Sequence, residues 1–236
     1  MKVDKYKLSL QALEYLSKQD RVVLRQNIIS EPSSGVGNLE RHFNITLTSR
    51  EKNILALALV DLQDKGLIEA VFRDTMNAGN DLVITDKGRR ALEKRVLDEL
   101  DELILTVNAD LIAKRYGAYE AVLNKQADWQ SQAANSLAEL LDHTLRTIAP
   151  TDVVKAESWY TESKAPGGFR KQRIRYFLEQ KTSSRSKSKE DVVDKAWQLI
   201  ESCRGKLEGI KHANENEEDI EQLIKLAEDA LSYLLK

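Results

Sequence analysis

The residues whose chemistry and spacing are best suited to binding a ligand form a basic run in the C-terminal third of the chain. Residues 164–189 contain nine lysines and arginines but a single acidic residue, Glu179. Aromatic side chains alternate with the cations, and the helix predicted over residues 169–178 carries Arg170, Lys171, Arg173 and Arg175. Such a helix is suited to binding the phosphate backbone of a nucleic acid, with little sequence preference and a strong dependence on salt. The alternative is a solvated basic face that balances acidic helices nearby.

This basic run is hidden in the overall composition, which is close to neutral. The 236 residues include 36 lysines and arginines and 38 aspartates and glutamates, so the formal net charge is −2. This balance excludes a globally basic coat protein and a strongly acidic disordered tail, but not a local nucleic-acid site. With 42% apolar residues, ten glycines and three prolines, the composition predicts a mainly helical protein with a substantial core.

We expect neither a metal site nor a cofactor. The single cysteine, Cys203, and the three histidines are scattered along the sequence, which excludes a zinc cluster. Asp152 and Glu162 are similar to the spaced acidic residues that hold magnesium in restriction-type enzymes, but no sheet is predicted there to bring them together. The sequence has no glycine-rich phosphate loop and no nucleophile elbow.

The chain is expected in the cytoplasm and not in a membrane. A single cysteine cannot form an intramolecular disulfide, which is typical of a reducing compartment. No run of about 18 apolar residues occurs, and residues 1–7 lack the apolar core of a secretion signal.

The N-terminal third is predicted to contain three helices followed by a β-hairpin. Helices are indicated near residues 6–16, 38–43 and 48–65, and strands near residues 67–72 and 81–85. Thr48 and Glu51 form a capping-box pattern at the start of the third helix, and Gly66 marks its end. A polar turn that contains a glycine separates the two strands.

This order of elements resembles a winged helix-turn-helix domain. Residues 48–52, 61–68 and 84–92 carry the resemblance, the last with the Ile-Thr step and early glycine that end the wing in bacterial winged-helix regulators. The resemblance implies a recognition helix in the major groove of DNA and a wing against the phosphate backbone. The side chains available are Arg50, Lys52 and Asn53 on the helix, Arg73, Asn77 and Asn80 on the wing, and Lys87, Arg89 and Arg90 just beyond it. The rest of the recognition helix is apolar or acidic, so protein contact or dimerisation is the alternative use of this fold.

A long connecting helix is predicted after Thr85. Apolar residues recur there at heptad spacing, namely Leu97, Ile104 and Leu111 in one series and Leu100 and Val107 in another. Heptad spacing is typical of a helix that packs along another helix. The pattern predicts packing either within the chain or between two copies of it.

The C-terminal part is predicted to be all-helical, with helices near residues 129–148, 169–178, 190–209 and 217–235. An Ala-Pro step ends the first of these helices, and Arg170, Arg173 and Ile174 form an Arg-x-x-Arg-Ile pattern in the second. By these features residues 129–236 resemble the predicted nucleases found beside PIWI genes in bacterial conflict systems. The Leu207-to-His212 segment between the last two helices also resembles the HEPN superfamily.

The HEPN resemblance implies a ribonuclease that works without a metal. In that family a histidine moves a proton near neutral pH and an arginine stabilises the charge that develops on the phosphorus. The candidates in this sequence are His212 with Arg204 or Lys206. Seven residues separate Arg204 from His212, and the alternative is a histidine that interacts with the end of a helix.

These observations predict a mainly α protein in three parts: a winged helix over residues 1–95, a connecting helical segment over residues 96–128, and an α-helical HEPN-like domain with a basic patch over residues 129–236. The expected function is that of a nucleic-acid-binding regulatory or accessory protein of a bacterial defence or toxin system. Its expected partners are DNA or RNA, a second copy of the chain and other defence proteins. The alternatives are a metal-independent ribonuclease effector and a non-catalytic adaptor that binds a protein.

Overall fold

The computed structural model describes residues 4–71, 81–162, 168–181, 187–210 and 217–236. The chain divides into two compact units, unit 1 over Met1–Glu99 and unit 2 over Leu100–Lys236. The described residues form twelve helices and three short strands, so the chain is mainly helical, as its composition predicts. Among these helices, none combines the length and hydropathy that crossing a lipid bilayer requires.

Unit 1 builds helices around a small antiparallel sheet. Its described elements are α1 (Lys5–Ser17), β1 (Val23–Leu24), α2 (Arg25–Ile29), α3 (Asn38–Phe43), α4 (Ser49–Asp64), β2 (Ile68–Val71), β3 (Asp81–Ile84) and α5 (Asp86–Lys94). Strand β3 lies in the middle, between β1 and β2. The register places Leu82 opposite Val23 on β1 and Ile84 opposite Ile68 on β2.

The core of unit 1 forms where α4 packs against α1. Leu8 and Leu13 of α1 and Leu55, Leu59 and Leu62 of α4 are fully buried. The α4 residues lie three and four positions apart, so one stripe of the helix is apolar and faces inward. Burial of each leucine side chain contributes about 2 kcal/mol to folding.

The ends of α4 are fixed by the local signals that the sequence shows. The Thr48 hydroxyl accepts the Glu51 N–H at 3.3 Å, and the Glu51 carboxylate accepts the Thr48 N–H at 2.7 Å. These two bonds satisfy backbone donors that have no partner inside the helix. Past the other end, Gly66 adopts a φ of +67°, which a residue with a side chain rarely adopts.

Helix α5 packs directly on the chain that enters β2. The Thr85 hydroxyl accepts the Gly88 N–H at 3.0 Å and so caps the helix. A Cβ atom on Gly88 would lie 2.0 Å from the carbonyl oxygen of Leu67. Glycine is therefore required here by a close approach of two backbones.

The prediction of one long connecting helix after Thr85 is wrong, because the helical conformation is interrupted twice in that region. Arg95 adopts a left-handed φ of 56°, and the Val96 N–H turns back to the Ala91 carbonyl at 3.0 Å, which ends α5. The second break lies at Asn108, whose side-chain oxygen accepts the Asp110 N–H at 2.9 Å and starts a new helix.

The two breaks also interrupt the predicted heptad series. Leu97 lies between two helices, and Ile104 and Leu111 lie on different ones. All three are buried within the single chain, with at most 2% of their surface exposed. The series is therefore not a continuous exposed stripe that a second copy of the chain could cover.

Unit 2 is formed by helices alone within the described residues. They are α6 (Glu99–Val107), α7 (Asp110–Asn124), α8 (Trp129–Ile148), α9 (Thr151–Lys155), α10 (Gly168–Lys181), α11 (Lys187–Ile210) and α12 (Glu217–Leu235). Four of these helices share one apolar core, in which Leu145 of α8, Ile174 of α10, Ile200 of α11 and Leu234 of α12 are buried together. The sequence predicts α8, α10, α11 and α12, whereas α9 lies between two predicted helices, where no helix is predicted.

A charged network lies inside unit 2. The Arg115 guanidinium on α7 contacts Asp101 of α6 at 2.5 Å and Glu228 of α12 at 2.7 Å. The Tyr116 hydroxyl donates to the second oxygen of Asp101 at 2.8 Å. Asp101 is fully buried and the Arg115 side chain is 6% exposed, so these groups compensate one another away from water.

Candidate nucleic-acid interface

The first turn of α4 presents two of the three helix residues predicted to contact DNA. Arg50 and Asn53 are exposed, at the end of the helix where its dipole is positive. The Lys52 ammonium instead lies 2.9 Å from a carboxylate oxygen of Glu40. Because Glu40 is only 2% exposed, Lys52 serves as the counter-ion of a buried carboxylate.

The Glu40 carboxylate ties α3 to the loop before α4. It accepts the backbone N–H groups of Gly37 and Leu47, each at 2.8 Å, in addition to the ion pair with Lys52. Burial alone raises the pKa of Glu40, but the three donors outweigh burial and bring the pKa below its ordinary value. Glu40 is therefore charged and engaged on both oxygens, which is a structural role.

Beyond its first turn, α4 offers little that reads DNA bases. Leu57 and Val60 are 54% and 44% exposed, and Asp64 is exposed at the end of the helix. Asp61 forms ion pairs with two lysines. Apolar groups do not donate to base edges and carboxylates repel phosphate, so this face is poorly matched to a DNA groove.

Helix α5 carries several exposed cations, and two of them contact neutral backbone groups. Lys87 donates to the Lys65 carbonyl at 2.7 Å and Arg89 donates to the Ser17 carbonyl at 3.3 Å. Both acceptors are neutral, so each cation keeps its full charge at the surface. Arg90 is exposed beside them. The wing residues predicted to act with this group, Arg73, Asn77 and Asn80, lie outside the described residues.

The basic helix of unit 2, α10, is arranged differently, because three of its cations pair with acidic side chains. Arg170 forms a two-pronged contact with Glu201 of α11, at 2.5 and 3.0 Å. This contact holds the pKa of the Arg170 guanidinium above its usual range. Lys171 lies 2.6 Å from Asp194 and 5.1 Å from the centre of the Trp197 ring.

The remaining two cations of α10 also have partners within unit 2. Arg173 is only 7% exposed, and it donates to the Ala149 carbonyl at the end of α8 and to the Thr151 hydroxyl. Burial lowers the pKa of Arg173, and nearby Arg146 lowers it further. Arg175 pairs with Glu179 at 2.9 Å and stacks on Trp159 at 4.4 Å. Much of the positive charge of α10 is therefore neutralised by its own fold.

The residues predicted to carry ribonuclease chemistry are placed only in part. Arg204 on α11 pairs with Asp142 of α8 and lies 3.6 Å from Glu208. Lys206 is exposed, and His212 lies outside the described residues. The thiol of Cys203, one position from Arg204, is buried, and burial raises its pKa to about 11. A thiol with that pKa is not a nucleophile at neutral pH.

The acidic partners of these cations are not evident from the sequence. Asp142, Asp194 and Glu201 lie between 23 and 62 positions from the arginines and lysines that they contact. Only the pairs four positions apart on one helix, Arg175 with Glu179 and Arg204 with Glu208, carry a local signal. The described residues hold no group of three or more histidine, cysteine or carboxylate ligands suited to a metal ion.

Unit 2 is thus a helical domain in which α8, α10 and α11 are joined by arginine–carboxylate pairs. Residues 105–234, which lie wholly within this unit, match the family model of the predicted pPIWI-associating nuclease. The match covers more than half of the chain, and the chain belongs to this family. No curated protein and no solved structure matches the chain. All of unit 1 lies outside the matched range.

Proposed function

We propose that this chain is a nucleic-acid-binding component of a pPIWI-associated defence system, acting in the cytoplasm, and that unit 1 binds duplex DNA. The observation that carries the proposal is the charge of α5. The helix and its C-cap, residues 86–95, include five exposed cations and two carboxylates, and the described contacts of Lys87 and Arg89 are to neutral carbonyls. On α10, in contrast, Arg170, Lys171 and Arg175 pair with carboxylates.

The arrangement of unit 1 supports a winged helix as the carrier of this surface. A capped helix, α4, leads into the hairpin formed by β2 and β3, and β1 adds to the free edge of β3. The Thr85 cap and the close approach of Gly88 to Leu67 fix α5 against the base of that hairpin. Cations on α5 would then contact the phosphate backbone beside the hairpin.

Binding through such a surface is expected to be strong at low salt and nearly independent of sequence. Phosphate contacts position a protein on DNA but carry no base information. The exposed face of α4 is mostly apolar and acidic, so we assign the DNA contact to α5 and the wing and leave Arg50, Lys52 and Asn53 out of it. Lys52 is in any case held by Glu40.

The test is the salt dependence of binding to a labelled 24-base-pair duplex, measured by fluorescence anisotropy. Arg89→Ala combined with Arg90→Ala is expected to weaken binding about tenfold and to reduce the salt slope by about 2. Lys155→Ala combined with Lys225→Ala removes the same charge from exposed positions of unit 2 and serves as the matched control. Equal effects of the two double variants would refute a specific role for α5.

A second candidate function, cleavage of RNA by unit 2, is favoured by the family match and by the position of Arg204. A half-buried arginine close to an exposed lysine and to His212 in sequence has the components needed for metal-independent transesterification. The test is incubation of the purified chain with RNA in the presence of EDTA. Activity lost in His212→Ala and in Arg204→Ala would support the site, and activity retained in His212→Ala would remove it.

The third possibility, a non-catalytic adaptor, is favoured by the exposed apolar pair Leu57 and Val60 on α4. The adaptor hypothesis makes a clear prediction for the duplex-binding and RNA-cleavage assays described above. An adaptor binds duplex DNA no better than the α5 double variant does, and it leaves RNA intact.

A further inference from the structure

The solvent face of α4 carries a regular stripe of exposed residues. Arg50, Asn53, Leu57, Val60 and Asp64 are alternately three and four positions apart, and all five are exposed. This is the spacing of the contact positions of a two-helix coiled coil. The opposite stripe of α4 is the one that packs into the core of unit 1, so the exposed stripe is not needed to hold the unit together.

The chemical character of the stripe changes along the helix. Its first turn carries a cation, Arg50, its centre carries the two apolar side chains Leu57 and Val60, and its last residue is an anion, Asp64. Single exposed apolar residues are common on protein surfaces. Two on adjacent turns, between opposite charges at the two ends, form a pattern that is complementary to itself.

We propose that a second copy of this chain packs on α4 in antiparallel orientation, about a two-fold axis between Leu57 and Val60. In this arrangement Leu57 of each copy lies against Val60 of the other. In this register Asp64 of the second copy lies opposite Asn53. Arg50 lies three positions, or about 4.5 Å, further along the axis, where its long side chain can reach the Asp64 carboxylate. Both ends are satisfied at once, because the two-fold axis repeats the contact.

Other occupants fit this face less well. A parallel pair would place Arg50 against Arg50 and Asp64 against Asp64, so both ends would repel. A DNA groove would meet two apolar side chains and two carboxylates, Asp61 and Asp64. In the antiparallel pair Asp61 adds no repulsion, because Lys5 and Lys65 already lie 3.5 and 3.3 Å from it.

The size of the contact predicts a weak dimer. Helix α4 has 16 residues and is therefore about 24 Å long. A pair of helices of this length buries less than the roughly 1,200 Å² typical of a stable complex. We expect a dissociation constant on the order of micromolar. This interface leaves the α5 cations uncovered on their own helix, so it does not depend on the proposed DNA contact.

The first experiment measures the mass of the full chain by light scattering over 1 to 200 micromolar, the working range for a dimer of roughly micromolar affinity. The wild-type chain is expected to shift from 26.8 kDa to twice that mass as its concentration rises. Leu57→Asp places two carboxylates near the two-fold axis and is expected to keep the chain monomeric. Leu105→Asp alters another exposed leucine, on α6, and is the matched control that retains the dimer. A wild-type chain that is monomeric throughout, or a Leu57→Asp chain that still dimerises, overturns the proposal.

The second experiment tests the antiparallel orientation by reversing charges. Arg50→Asp and Asp64→Arg are each expected to raise the dissociation constant about tenfold or more, because each replaces two attractive contacts with two repulsive ones. The double variant Arg50→Asp/Asp64→Arg is expected to restore dimerisation. Neither change opposes the helix dipole, since an anion is favoured near the start of a helix and a cation near its end. Loss of the dimer in the double variant overturns the antiparallel pairing.

Discussion

The buried carboxylate of Glu40 provides the sharpest test of how unit 1 is held together. Glu40→Gln keeps the size of the side chain and one acceptor oxygen, but it removes the charge that Lys52 needs. It also turns an NH2 group toward one of the two N–H donors, from Gly37 or Leu47, that the carboxylate accepts at 2.8 Å. Breaking a buried ion pair by removing one partner costs about 3 kcal/mol.

The expected loss is measured by urea unfolding followed by circular dichroism at 222 nm. With a urea m-value of about 1.5 kcal/mol/M, the midpoint falls by about 2 M. All three tryptophans, Trp129, Trp159 and Trp197, belong to unit 2. Tryptophan fluorescence recorded in parallel therefore separates a loss in unit 1 from a loss in unit 2.

A control substitution and the pH dependence make this prediction specific. Glu31→Gln removes a carboxylate that pairs with Arg41 at the exposed surface, and we expect it to leave the midpoint nearly unchanged. The pKa of Glu40 is lowered from its ordinary 4.5, so its stabilisation is present above pH 4.5 and is lost as the pH falls through the lower pKa of the folded state. The difference in the free energy of unfolding between the wild type and Glu40→Gln should therefore become smaller as the pH is lowered from 7 to 3. A midpoint shift no larger than that of Glu31→Gln would refute the reasoning.

Three further predictions follow from single residues. Arg173→Met leaves carbonyl groups at the end of α8 without their donor and is expected to destabilise unit 2 by about 3 kcal/mol, measured by tryptophan fluorescence during urea unfolding; an unchanged midpoint would contradict this. Gly88→Ala places a Cβ 2.0 Å from the Leu67 carbonyl oxygen and should lower the free energy of unfolding by about 2 kcal/mol or more. As the control, a Cβ on Gly205 of α11 would have no atom within 4 Å, so Gly205→Ala should raise the free energy of unfolding by about 0.5 kcal/mol. Equal melting temperatures for the two alanine variants would rule out the close approach at Gly88. The thiol of Cys203, with a pKa raised to about 11, should react with a disulfide reagent at pH 8 only after urea unfolds the chain, and rapid reaction of the native chain would show that the thiol is accessible.

Local signals in the sequence predict the parts of the fold whose causes are local. Helix α4 begins where the pattern of Thr48 and Glu51 places it, because the two residues bond to each other's backbone within one turn. The stop at Gly66 has the same origin, a backbone conformation that favours glycine. Strands β2 and β3 also lie within the two ranges, residues 67–72 and 81–85, that the sequence predicts for them.

Features that depend on distant partners could not be predicted in this way. The break at Arg95 has no glycine or proline to mark it, and the chain turns there so that Val96 and Leu97 become buried. Strand β1 has only two residues and exists because β3 offers it an edge. In the candidate interface, the charge density of α10 was visible in the sequence, but Asp194 and Glu201, which neutralise Lys171 and Arg170, lie one helix further along the chain.

The charged network around Arg115 determines where unit 2 can be cut from the rest of the chain. The family match begins at residue 105, but Asp101, which compensates Arg115, lies four positions before it. A fragment that starts at residue 105 would fold around an arginine with one of its two counter-ions missing, whereas a fragment that starts at residue 99 keeps the whole of α6. The smallest portion of this chain that can stand alone as a nuclease-family domain is therefore longer than the segment by which the family is recognised.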